Sequence, residues 1–109
     1  MSEVVIALTT VPSVEVGEEI ARSLVEARLA ACVNVLPAMT SIYRWNGAVH
    51  REPEHQLVIK TAKSLIDALR ERVAALHPYD LPELLVIPVS DGEPAYLAWV
   101  LQETEEADR

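Results

Sequence analysis

The sequence predicts an α+β fold, a four-stranded antiparallel sheet with two helices on one face and one more helix at the C-terminal end. Three observations predict it. β-branched runs stand near both ends, at 3–10 and 84–90; two segments between them repeat apolar residues at helical spacing; and Asn46-Gly47 in the middle is the strongest short-range signal for a type I′ hairpin turn. The order β-α-β-β-α-β-α is that of split βαβ units, the ferredoxin-like arrangement, in a single domain over 1–109.

"EVVIALTT" (3–10) reads as a strand covered on at least one face and stopped by Pro12. Ser13 is placed to N-cap the first helix, whose buried stripe is Ile20, Leu24, Ala27 and Ala31. Residues 32–62 form two long extended arms around Asn46-Gly47, with Pro37 and Pro53 demanding edges, bulges or bends. A two-residue loop there sets Trp45 opposite Ala48, Tyr43 opposite His50 and Met39 opposite Glu54. His50, Glu52, Glu54, Gln56 and Lys60 then share the face turned away from the helices, and Leu57 and Ile59 the other.

The second helix, 63–77, lines up Leu65, Leu69, Val73 and Leu76, and Pro78 ends it. "LLVIPVS" (84–90) is the last strand, Asp91-Gly92 a turn, and 93–106 a short helix.

The arms imply an oligomer. A globule of this size has a diameter of roughly 34 Å, whereas thirteen extended residues, Val33 to Trp45, span about 43 Å. The tip carries Ile42, Tyr43, Trp45 and Val49, so a projecting ribbon must pair with another subunit or aggregate.

The formal net charge of −8, from 9 basic and 17 acidic side chains, argues against nucleic acid and anionic membranes as partners. No run approaches the ~20 apolar residues of a membrane span. One cysteine allows no internal disulfide, and together with the absence of a signal-like N-terminus this predicts a cytoplasmic protein.

"LAACVNVLPAMTSIYRWNGAV" (29–49), "LVIKT" (57–61), "HPYDLPELLVIPVSDG" (77–92) and "YLAWV" (96–100) together resemble the CutA divalent-cation tolerance family. The resemblance implies a homotrimer whose long hairpins extend the sheets across subunit boundaries, and a link to copper and other divalent ions. It further implies, for members credited with copper binding, a cysteine near the end of strand 1 and two histidines before Pro-Tyr. Here Thr9 and Leu76 replace the first two of these, and only His77 remains.

The candidate metal ligands are therefore His77 and Cys32, for copper or another divalent ion, with no cofactor required. Their plainer readings are a helix C-terminal histidine meeting the last carbonyls and a small buried hydrophobe. His50, Glu52 and Glu54 could line a strand face toward a cation, or simply be solvated. Tyr43, Trp45, Tyr79 and Trp99, with Lys60, Glu54 and Glu83, could wall an inter-subunit cleft or pack an interface.

No HExxH, paired CxxC, P-loop, GxGxxG or GxSxG occurs, so an enzyme is not expected. The leading expectation is a trimeric divalent-cation tolerance protein. The alternative is a sensor or scaffold similar in architecture to the PII signalling proteins, binding a small anionic or zwitterionic effector near Lys60 and Tyr79.

Overall fold

A computed structural model describes residues 3–105; residue 106, the last of the expected C-terminal helix, lies outside the described residues. The chain runs β1 (Val4–Val11), α1 (Val14–Glu26), β2 (Cys32–Val35), β3 (Met39–Trp45), β4 (Ala48–Ala62), α2 (Ile66–Leu76), β5 (Leu85–Pro88) and α3 (Pro94–Glu103), with one 3₁₀ turn, Lys63–Leu65, leading into α2. The sheet order is β2-β4-β1-β5, all antiparallel. This is the order that split βαβ units produce.

The expected second strand is two strands. Pro37 falls in the break between β2 and β3, and both pieces pair with β4: β2 along Leu57–Lys60 and β3 along Ala48–Glu54. A proline cannot donate to a ladder, so the arm bends there. Pro53 is accommodated inside β4, where β3 is its only neighbour because β1 begins to pair at His55.

Hairpin register follows from the turn. Asn46 and Gly47 have φ of 50° and 78°, the left-handed pair a type I′ turn requires. Trp45 faces Ala48, Tyr43 faces His50 and Met39 faces Glu54, with no bulge between.

The core lies between the sheet and α1 with α2. Val5, Ala7, Val11, Leu57 and Ile59 of the sheet meet Ile20, Leu24, Leu69 and Val73 of the helices. Ser13 caps α1, its hydroxyl accepting from the Val16 amide at 3.2 Å. Gly17 lets α1 approach closely: a Cβ there would stand 3.2 Å from Leu57 and Val11 side chains and 3.3 Å from Val35.

α3 seats Val100 and Thr104 and is tied to the end of α1 by Arg28, whose guanidinium donates to the Glu103 carbonyl at 3.1 Å. Tyr96 and Trp99 of α3 stay exposed, as do Leu85, Val86 and Ile87 of β5.

β3 and the first half of β4 leave this body as a two-stranded ribbon. The chain measures 45 × 28 × 22 Å with a radius of gyration of 14.6 Å, longer in one direction than the globule its residue count would give.

Candidate functional site

A cluster of hydrogen-bonded polar side chains lies at the root of the ribbon, where the loop after α2 meets β1 and β4. Pro78 forces the residue before it out of helical geometry, and His77 is extended at φ −81°, ψ 135°. Its ring therefore turns away from α2.

The His77 ring meets two backbone groups. Nε2 lies 2.7 Å from the Thr10 carbonyl and Nδ1 3.1 Å from the Tyr79 amide. A carbonyl only accepts and an amide N–H only donates, so Nε2 carries the proton and Nδ1 is the acceptor. Thr10 is available because β5 pairs with β1 only over Val5–Leu8. The expectation that this imidazole caps the carbonyls of its own helix is thus corrected: it pins the loop to β1.

Tyr79 packs its ring on His77, centroids 4.6 Å apart, and its hydroxyl donates to Glu54 Oε2 at 2.7 Å. Glu54 is buried, 9% exposed. Burial, then the hydrogen bond to Glu54 and the negative field of Glu54, Glu52 and Tyr43, push the Tyr79 phenol well above its ordinary value. Burial first, and the charge of the same Glu54 carboxylate second, hold the Glu83 carboxyl above the ordinary range.

The cluster continues onto the ribbon. The Tyr43 hydroxyl donates to Glu52, and that bond leads the causes that raise the Tyr43 phenol, ahead of burial and the charges of Glu52 and Glu54. His50 stacks on Tyr43 at 5.4 Å and donates from Nε2 to the Trp45 carbonyl at 3.2 Å. Glu52, Glu54, Tyr43 and His50 share one face of the ribbon by register.

Within one chain the other expected wall residues lie elsewhere. Lys60 donates to Asn34 and sits 4.0 Å from Cys32 Sγ, in the row where Cys32 pairs with Lys60. That row is four residues along β4 from Gln56, the partner of Thr10 and so of the His77 end. His77 and Cys32 are not brought together. Trp45 is at the ribbon tip beside the turn, and Trp99 is on α3, its ring 5.5 Å from Tyr96. Among the described residues no group of three or more His, Cys, Asp or Glu is arranged to hold a metal ion.

Two partners were not anticipated. Asn34 follows from strand alternation, since Cys32 and Asn34 share a face in "CVNV". The Thr10 carbonyl could not be foreseen, because it depends on how far β5 extends along β1.

The fold and this cluster define a class: a small split-βαβ domain with a buried carboxylate and a phenol joined at the root of a projecting ribbon. The family model described as "CutA1 divalent ion tolerance protein" matches residues 5–103, and the chain belongs to that family.

It is 51% identical over 104 residues to the divalent-cation tolerance protein CutA of Thermus thermophilus, covering 95% of this chain and 99% of that one. It is 50% identical over 99 residues to protein CutA of Mus musculus, covering 91% of this chain but 56% of the mouse protein. Among solved structures, CutA1 of Oryza sativa superimposes with a TM-score of 0.93 at 42% identity, covering 97% of each chain. The Thermus thermophilus protein gives 0.91 at 48% identity, covering 94% of this chain and 99% of that one.

Proposed function

We propose that this chain is the subunit of a homotrimeric, non-enzymatic protein of divalent-cation tolerance, which meets copper or another divalent ion weakly through its carboxylates and needs no cofactor. Membership of the CutA1 family supports the tolerance role, and the −8 charge supports diffuse attraction of cations. The observation that carries the weak mode of binding is the His77 ring, both of whose nitrogens are engaged by backbone groups.

The trimer is supported by the projecting ribbon and the β5 edge, which hold Ile42, Val49, Leu85, Val86 and Ile87 exposed to water. Among the described residues no helix is long and apolar enough to cross a membrane. Relatives bear both chloroplastic and periplasmic names, so the proposed cytoplasmic placement rests on the single cysteine.

An anionic effector held between Lys60 and Tyr79 finds less support, since Lys60 keeps company with Asn34 and Cys32 while Tyr79 sits among carboxylates.

Equilibrium dialysis against Cu(II), with the bound metal quantified in wild type and in His77→Ala, tests the binding mode. Binding that is unsaturated at low metal, weakened by salt and indifferent to the substitution is expected. A tight stoichiometric site abolished by His77→Ala would overturn it.

A further inference from the structure

The ribbon has two unlike faces. One presents Tyr43, His50, Glu52 and Glu54, and the charge of Glu54 is felt at Glu83 near its root. The other presents Ile42 and Arg44 on β3 and Val49 and Arg51 on β4, in cross-strand pairs Ile42–Arg51 and Arg44–Val49.

Ile42 and Val49 are 69% and 64% exposed, among the most exposed large hydrophobics of the chain. The ion pairs found among the described residues, Lys63–Glu3 and Arg70–Asp67, include none of Arg44, Arg51, Glu54 and Glu83. The acidic face thus has a buried carboxylate without a cation, and the basic face has exposed hydrophobics without cover. Each lacks what the other carries.

We propose that the occupant of the basic, apolar face is a second copy of this chain, and that Arg44 and Arg51 of one copy dock against Glu52 and Glu83 at the ribbon root of the next. This rests on the homo-oligomeric reading above and adds which residues each copy contributes. Opposite faces of one ribbon cannot meet within a chain, so the contact joins unlike patches. Such a heterologous contact closes into a ring when its rotation permits, which is how a cyclic trimer is built. The incoming guanidinium groups complete the acidic cluster, offsetting the negative field at Glu83 and Tyr79, while Ile42 and Val49 leave water.

The test is sedimentation velocity over a dilution series on four proteins: wild type, Arg44→Glu with Arg51→Glu, Glu52→Arg with Glu83→Arg, and the chain carrying all four changes. Circular dichroism reports whether each is folded. Either reversal alone is expected to raise the dissociation constant at least about tenfold, and the fourfold chain to recover most of that loss. An arginine reversal with wild-type dissociation, or a fourfold chain no tighter than the single reversals, overturns the docking while leaving the oligomer intact. A monomeric wild type would instead remove the oligomeric reading itself.

Should a reversed chain fail to fold, the salt dependence of wild-type dissociation decides. Weakening with salt supports the charged contact, and indifference overturns it.

Discussion

Leu57 and Val49 lie on the same strand and, eight residues apart, on the same face of it, yet Leu57 is fully buried and Val49 is 64% exposed. The difference is coverage. α1 and α2 close over β4 where it pairs with β1 and β2; beyond His55 the strand has only β3 for company. The sandwich body encloses a core within one chain, whereas the ribbon is a two-stranded extension that leaves Ile42 and Val49 exposed. Side chains on one face of one strand are therefore buried only as far as the helices reach along it.

The body breaks first when its packing is removed. Leu57→Ala empties a fully buried position facing the helices and is expected to cost about 2–5 kcal/mol in denaturant unfolding. A loss under 1 kcal/mol would mean that Leu57 is not part of a close-packed core.

At the junction of the two regions, Tyr79→Phe removes the donor to buried Glu54 Oε2. Leaving that carboxylate without its hydroxyl is expected to cost about 1–3 kcal/mol, with retained oligomeric mass. On the ribbon itself, Gly47→Ala puts a side chain on a residue at φ 78° with open space around it. About 1 kcal/mol of backbone strain is expected, and its amide signals should move in the turn without disturbing the core.

The smallest effect sharpens the comparison most. The Glu83 carboxyl is raised, by burial and then by Glu54. A carboxyl raised in the folded chain holds its proton more tightly there. Its contribution is fully present below the ordinary glutamate range and is lost as pH rises through the raised value. In chains kept apart by the Arg44 and Arg51 reversal, Glu83→Gln is expected to flatten that mildly acidic decline and to raise stability above it. In the assembled wild type the decline should shrink, because an arginine then faces the carboxylate. Identical profiles in the two states would show that assembly leaves Glu83 untouched.

Much of this was legible in the residues. Asn46-Gly47 set the turn and, through it, every pair from Met39–Glu54 to Trp45–Ala48; Ser13 and Pro78 marked the ends of helices. The split at Pro37 was signalled as a bend but not as two strands, since a proline shows where a ladder fails and not how far the chain travels before pairing resumes.

The site was legible in parts. Tyr79 meets Glu54, whose charge is felt at Glu83, but Lys60, Trp45 and Trp99 do not join them within one chain. Sequence identifies which side chains are polar or aromatic on a face, whereas convergence depends on tertiary distances that periodicity does not carry. His77 shows the same limit, since its partners are backbone groups with no sequence signature.

The central claim is that the ribbon is completed by other copies of the chain. Native mass spectrometry of the wild type at micromolar concentration, with and without Cu(II), measures that directly. The account predicts three times the 12.0 kDa chain mass in both conditions, with bound copper substoichiometric and variable. A species of single-chain mass, folded and stable, would contradict it.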